Sequence, residues 1–258
     1  MAQVPSATRA LRVLRYLAAQ PDPVTLDRLA EVVGLPRSSA YHLLNAMIEE
    51  GFVVHLAEEH RYGLGVAAFE VGTGYARQEP LQRITRRHLA SLVDAVGESA
   101  HLAVLHGRDV LYVLEDRAPG RPPLVTDVGV RLPAQLTASG RAILAHLPAA
   151  QVRALYPDRS AFVDRHGVGP TSLSALRTLL SETRQRGYSV EEGEVTPGFA
   201  SVAAAVLDHN DHPVAGIAVT YPVDGPVDLD ATIAVTLRTA SAVTVRLGGR
   251  PPGQVTRR

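Results

Sequence analysis

The chain of 258 residues contains no cysteine, which excludes disulfide frameworks, thiolate zinc sites and cysteine nucleophiles. Metal or nucleophilic chemistry would have to come from His, Asp, Glu or Ser. Lysine is missing too: all 26 basic residues are arginine. With the abundance of alanine, valine and glycine, this reads as the codon bias of a GC-rich genome rather than as function. Long apolar runs are also absent; a stretch such as Ala200–Leu207 falls far short of the roughly 20 residues that a membrane helix needs. No charged-then-apolar leader opens the sequence, so the expectation is a cytoplasmic protein without membrane contact. Nor is there an excess of either charge. The 26 basic and 26 acidic residues cancel, so any nucleic-acid binding must rest on local arrangement rather than on a global basic field. What the chain does have is apolar mass: 46% of its residues are hydrophobic, enough for more than one core, and two domains are the natural division.

From Ser6, the residues Ala7, Ala10, Leu11, Leu14, Leu17 and Ala18 recur at three-and-four spacing and predict an amphipathic helix, with Arg9, Arg12 and Arg15 outside its apolar face. Pro21-Asp22-Pro23 stops it. Thr25 is placed to N-cap a second helix, Leu26 to Val33, that buries Leu26, Leu29, Ala30 and Val33 and ends at Gly34. Pro36, at a first-turn position, opens a third helix to about Glu50, with Ala40, Leu43, Leu44, Met47 and Ile48 inward and Gly51 closing it. Two short helices joined in this way have the dimensions of a helix-turn-helix. The outward stripe of the second is Arg37, Ser38, Tyr41, His42 and Asn45; every member can donate a hydrogen bond and none is acidic. Ser38 and Ser39 lie near the helix start, where free backbone N–H groups favour a phosphate.

Phe52–His55 and His60–Leu64, around Ala57-Glu58-Glu59, then form a wing-sized hairpin. Residues 1–65 are thus expected to be a winged helix-turn-helix that binds DNA. Arg37 is its leading base-edge or phosphate contact, Tyr41, His42 and Asn45 face the groove, Arg9 clamps the backbone, and Arg61 joins the candidate contacts. Charge gives no help: Arg9, Arg12, Arg15, Arg28, Arg37 and Arg61 stand against Asp22, Asp27, Glu31, Glu49, Glu50, Glu58 and Glu59. Two of those acids occupy the wing tip, which argues against strong phosphate contact there.

Residues 66–96 read as a linker and linker helix. Val66 to Gln78 can be helical although Gly72 and Gly74 weaken it, and Pro80 starts a helix from Leu81 to Val96 with Arg83, Arg86 and Arg87 on its polar side. Ser99–Leu105 and Val110–Glu115 flank a turn, as do Ser201–Leu207 and Pro213–Tyr221; helices are predicted at Ala138–Leu147, Leu173–Arg186 and Leu229–Leu247. Antiparallel pairs with helices between and after them imply an α+β domain over residues 97–247. Gly248 begins an expected disordered tail, 248–258. His209 and His212, beside Asp208 and Asp211, sit in a hairpin turn with no third distant ligand, so no metal is expected. Ser139 is not in a G-x-S-x-G elbow, no glycine-rich phosphate loop follows a strand, and His101 reads as a packed, hydrogen-bonded histidine. Neither catalysis nor a cofactor is expected.

The stretches SATRALRVLRYLA, VTLDRLAEVVGLPRSSAYHLLNAMIEEGFV and HRYGLG resemble the N-terminal domain of the IclR family of bacterial transcription regulators. LPAQLTASGRAILAHL, LRTLLSETRQRGYSVEEGEV and GFASVAAAVLDHNDHPVAGIAVTYP resemble its effector-binding domain, in the correct order from about Ser6 to Leu247. The resemblance implies a GAF-like antiparallel sheet with helices behind the winged helix, and a dimer or dimer of dimers on a double-stranded DNA operator. It also implies a small-molecule pocket, carried over position by position to Ala138 and Ser139, Glu191, Phe199 and Ser201, and Ala218 and Thr220. On a strand, Phe199 and Ser201 point the same way, as do Ala218 and Thr220. Leu132 and Leu136 are expected walls, and Ser139 can offer a hydroxyl and a helix-start N–H to a carboxylate. Phe199 and Ala218 favour an apolar or aromatic ligand. The implied function is a ligand-responsive regulator, expected to be a repressor that senses a small organic or aromatic carboxylic acid of catabolism. The alternatives are a sensor acting through protein partners and, more weakly, an enzyme using the C-terminal pocket.

Overall fold

The computed structural model describes residues 4–77 and 80–251, so Gln78 of the expected linker and residues 252–258 of the expected tail lie outside the described residues. The chain divides into two compact units between Pro80 and Leu81.

The first unit contains α1 (Pro5–Ala18), β1 (Val24–Thr25), α2 (Leu26–Val33), α3 (Arg37–Glu49), β2 (Val53–Leu56), β3 (Arg61–Leu64) and α4 (Val66–Arg77). Its antiparallel sheet has the order β1-β3-β2. Val13, Leu17, Leu29, Val33, Leu44, Met47, Val53 and Tyr62 form the core. Gly34 and Gly51, at φ 64° and 74°, close α2 and α3 in the left-handed conformation that glycine adopts without strain. On α1 the buried face overlaps the predicted one only in part: Leu17 is buried as expected and Ala10 and Leu14 are half-buried, but Val13 is buried with them, whereas Ala7, Leu11 and Ala18 are exposed. At 3.6 residues per turn, Val13 and Leu17 lie about 40° apart while Leu11 lies about 160° from Val13. The three-and-four spacing marked one edge of a broad apolar arc rather than its centre. Leu26 is half-buried instead of buried. Thr25 holds the N-cap position of α2 but its hydroxyl caps nothing; its backbone pairs with Arg61 instead. Pro36 precedes α3 as its N-cap residue rather than lying in its first turn.

The second unit contains α5 (Pro80–Val96), β4 (Ser99–His106), β5 (Asp109–Asp116), β6 (Arg131–Pro133), α6 (Ala138–His146), α7 (Ala149–Leu155), α8 (Leu173–Arg186), β7 (Ser189–Glu192), β8 (Phe199–Leu207), β9 (Pro213–Pro222) and α9 (Leu229–Arg246). The sheet is antiparallel, in the order β6-β5-β4-β9-β8-β7. Its central strands are buried on both faces, which is why β8 reads as a nearly unbroken apolar run. Val202, Ala204, Val206, Ile217 and Val219 pack with Leu89 and Leu92 of α5 and Val243 of α9. Ala203, Ala205 and Ala218 meet Ala138 and Ala142 of α6 on the other face. That contact is close because Gly216 has no side chain: a Cβ there would stand 2.7 Å from the Ser139 carbonyl oxygen. Residues of α6 from Ala138 to Ala145 are all buried in consequence.

Elements without a sequence signal are the short ones, β1 and β6, together with α7 and β7; β7 turns its polar residues Ser189 and Glu191 inward, the reverse of a hydrophobic strand pattern. Gly248 and Gly249, expected to begin a disordered tail, instead donate their N–H groups to Val245 and Thr244, and Gly248 bridges to Asp208. Among the described residues, no helix is long and apolar enough to cross a membrane.

Candidate functional site

Two polar constellations stand out, one in each unit. In the first, Ala40, Leu44 and Met47 anchor α3 from behind, and Arg37, Ser38, Ser39, Tyr41 and His42 are exposed, with Asn45 half-buried. No side chain caps the helix start, so its first N–H groups remain open to an anion. Arg37, Ser38, Tyr41 and His42 share one shallow concavity with His55, His60 and Tyr62 of the wing, where the His55 ring stacks on Tyr62 with centroids 4.7 Å apart. The wing histidines carried no signal in the sequence; only the pairing of β2 with β3 brings them beside α3.

The three candidate arginines differ in their surroundings. The Arg37 guanidinium is exposed and ion-paired with Asp27 of α2. Such exposed pairs contribute at most about 1 kcal/mol, so the partner is exchangeable. Arg61 donates from Nη1 to the Pro23 carbonyl at 2.7 Å. Arg9 is half-buried, on the inward side of α1.

In the second unit, strand register assembles the other constellation. Glu191 of β7 pairs with Ser201 of β8, Ser201 with Thr220 of β9, and Thr220 with Ser99 of β4, so one polar row crosses four strands on one face. In the adjacent row, Ala203 pairs with Ala218 and Ala218 with His101. The start of α6, Ala138 and Ser139, lies over these rows, and Phe199 closes one side. Leu124, Val125 and Thr126, from the segment between β5 and β6, complete the enclosure with Tyr112, Val195 and Thr196. The space left is about 10 Å³, room for one water molecule.

The pocket's polar atoms are only partly satisfied. Ser201 Oγ donates to Glu191 Oε1 at 2.8 Å and lies 3.0 Å from Thr220 Oγ1; Thr126 Oγ1 lies 2.8 Å from His101 Nε2. His101 Nδ1, Ser139 Oγ and Glu191 Oε2 make no well-formed hydrogen bond, although the Tyr112 phenol stands near Ser139 and the Val195 N–H near the Glu191 carboxyl. Burial pushes the Glu191 carboxyl up to about 7, against the opposing pull of the Ser201 hydrogen bond and with Glu194 adding to the rise. Burial pushes His101 down to about 3, so its ring is neutral. Among the described residues, no arginine lines the cavity. Arg141 on α6 points elsewhere, donating to the Gln135 and Val190 carbonyls, each at 2.8 Å, and to Glu194 at 2.6 Å.

The structure therefore brings together Ala138, Ser139, Glu191, Phe199, Ser201, Ala218 and Thr220. Leu132 and Leu136 do not line the cavity; they belong to the apolar core with Val110, Ile143 and Leu144. Leu132 pairs in register with Val110 on the far edge of the sheet, which directs it into that core. His101 and the Leu124–Thr126 segment were missed as pocket residues: the first becomes visible only when β4 is laid against β9, and the second has no periodicity to read.

A winged helix with a donor-bearing helix face, and a separate sheet domain with a polar pocket under a helix start, define a DNA-binding protein with a ligand-binding domain. Residues 6–57 match the IclR helix-turn-helix domain and residues 73–241 match the bacterial transcriptional regulator IclR C-terminal domain. The chain belongs to the IclR family of transcription regulators, which are not enzymes. It is 31% identical over 253 residues to the transcriptional repressor IclR of Escherichia coli (strain K12), covering 96% of this chain and 91% of that one. The fold is similar to that of the Agrobacterium tumefaciens repressor BlcR, with TM-score 0.66, 28% identity and coverage of 96% of this chain and 99% of that chain. An IclR homolog from Microbacterium hydrocarbonoxydans, solved in complex with 4-hydroxybenzoate, shares the fold at TM-score 0.58 and 21% identity, over 94% of this chain and 98% of that chain.

Proposed function

We propose that this protein is a ligand-responsive repressor in which α3 reads the major groove of a pseudo-palindromic operator and the sheet-domain pocket holds a small organic acid. The observation that carries the DNA half is the exposed donor face of α3, uncapped at its start and free of acids until Glu49. Arg37 makes the leading contact by exchanging Asp27 for a base edge or phosphate. Ser38 and Ser39 hold phosphate, Tyr41, His42 and Asn45 face the groove, and Arg9 and Arg61 flank the backbone. Replacing Arg37 with Ala is expected to weaken operator binding by about 1–3 kcal/mol in gel-shift titration. Affinity unchanged by the substitution removes α3 from the interface, and affinity insensitive to salt removes DNA as the partner.

The effector is a small, preferentially aromatic acid. Support comes from the Ser139 hydroxyl at the α6 start, from Phe199 in the wall, and from the relative that holds 4-hydroxybenzoate. It binds the DNA-competent and DNA-incompetent states unequally, and a difference of about 1–3 kcal/mol is enough for a useful switch. Ser201→Leu fills the pocket, so calorimetry is expected to show no effector binding while operator affinity stays close to normal. The working unit is a dimer or a dimer of dimers. Leu11, Leu43, Ala46, Phe52 and Val71 line an apolar groove on the first unit that a second copy would cover, and two half-sites one helical turn apart require two copies. Light scattering that returns a monomer at operator-binding concentrations removes this assembly.

A further inference from the structure

The effector pocket proposed above is already committed at one end. Thr220 and Ser201 form a hydroxyl relay whose last O–H goes to Glu191 Oε1, so neither hydroxyl has a proton left for Oε2. Glu191 is 5% exposed and its Oε2 makes no well-formed hydrogen bond. The charged groups nearest it, Arg141 and Glu194, pair with each other. A ligand reaching this end must therefore bring a group that can bond Oε2 whether the carboxyl is ionised or protonated, and a carboxylate placed here would meet a like charge whenever Glu191 is ionised. At the α6 start the inventory is reversed. Ser139 is 1% exposed, its Oγ makes no well-formed hydrogen bond and stands near the Tyr112 phenol, a second hydroxyl donor, and of the first-turn N–H groups Gly140's is taken, by Thr137 at 3.0 Å. The Ala138 and Ser139 N–H groups have no intrahelical acceptor by position. This end offers donors and wants an acceptor, and His101, neutral at the β4 side of the pocket, adds no charge to either end.

We infer that the pocket selects a hydroxylated organic acid, with the carboxylate against Ser139 and the α6 start and the hydroxyl hydrogen-bonded to Glu191 Oε2. This rests on the effector-pocket reading and narrows it. A hydroxyl suits this oxygen better than an amine does, because it can donate to the carboxylate and accept from the protonated carboxyl, whereas an ammonium can only donate and brings three N–H groups to one open acceptor. The apolar span between the poles, which Phe199, Val195 and Ala218 line, takes the carbon skeleton. Because only about 10 Å³ is open, a ligand must displace part of the lining to enter.

The test uses the full-length protein and matched acids, with calorimetry as the readout: 4-hydroxybenzoate, benzoate and 4-(aminomethyl)benzoate as one set, and lactate, propionate and alanine as another. A deoxy twin leaves Glu191 Oε2 orphaned, so the hydroxylated member of at least one set is expected to bind on the order of 10- to 100-fold more tightly than its twins. Glu191→Leu is expected to abolish that preference, and the wild-type comparison stands alone if this variant fails to fold. Twins that bind as tightly as the hydroxylated member, or a failure of every acid to bind, overturn the inference. If the twins bind equally and Ser201→Leu still abolishes all binding, the pocket survives and only the hydroxyl preference falls. Binding that persists in Ser201→Leu overturns both.

Discussion

Helices α3 and α6 begin alike: each follows an extended residue, Pro36 or Thr137, and each places serine in its first turn, Ser38 and Ser39 or Ser139. The first start stands in solvent without a side-chain cap; the second is capped by Thr137 and buried under a sheet. The difference lies in what an unpaired polar atom costs. On α3, water satisfies each donor at no penalty, so the exposed face tells what the helix can bind without requiring that anything bind. On the α6 side, each buried group left without a partner costs about 1–3 kcal/mol, so Ser139, Glu191 and His101 are groups for which a bound partner would be a gain.

Four experiments can break or sharpen that contrast. Gly216→Val forces a side chain into the Ser139 carbonyl and should lift the α6 start from the sheet, destabilising the C-terminal unit by about 3 kcal/mol in thermal or denaturant melts. A neutral result would mean that α6 has room to move and that its burial is not enforced by the glycine. The Glu191 carboxyl comes next. With its folded value raised to about 7 by burial, the folded protein keeps between pH 4.5 and 7 a proton that the unfolded chain has released. Stability from this group is therefore fully present below the unfolded value and is lost as pH rises through about 7, by up to about 3 kcal/mol. Glu191→Gln is expected to flatten that slope, and melts with the same pH dependence as wild type would show the carboxyl to be ionised and satisfied in the fold.

Two smaller effects compare the helix starts directly. Thr137→Ala removes the α6 cap and is expected to cost about 1 kcal/mol in the same melts, whereas no equivalent substitution before α3 has a side-chain cap to lose. Asp27→Asn frees Arg37 and is expected to tighten operator binding by a few fold, within the roughly 1 kcal/mol that an exposed ion pair is worth. Weaker binding in this variant would mean that Asp27 orients Arg37 for DNA instead of competing for it.

Legibility in the sequence followed the same divide. The winged helix could be read because its signals are local: Gly34 and Gly51 at helix ends, three-and-four spacing, and a stripe of donors on one helix. Even so, the α1 face was misjudged, since Leu11 is as apolar as Leu17 and only the neighbouring helices select which is buried. Strand alternation could put Phe199 with Ser201, and Ala218 with Thr220, on common faces, with their positions supplied by family resemblance; that Ser201 pairs with Thr220 came only with the register. His101 and Thr126 could not, because they join the site through partners distant in sequence. Leu132 and Leu136 were misplaced for the converse reason: a leucine outside any periodic run carries no mark of which side of a wall it will occupy, or that Leu132 belongs to the short strand β6.

The sequence by itself determined where the glycines end α2 and α3, which of the longer runs become helices and strands, and the absence of thiol chemistry, because these depend on composition or on residues a few positions apart. Only the tertiary structure decided that Glu191, Ser201 and Thr220 form a relay with an open end, and that Arg37 rests against Asp27. Register across β7, β8 and β9 and the seating of α6 on Gly216 create that relay's burial. Burial is what turns an ordinary carboxyl and two ordinary hydroxyls into groups that must be answered by a partner.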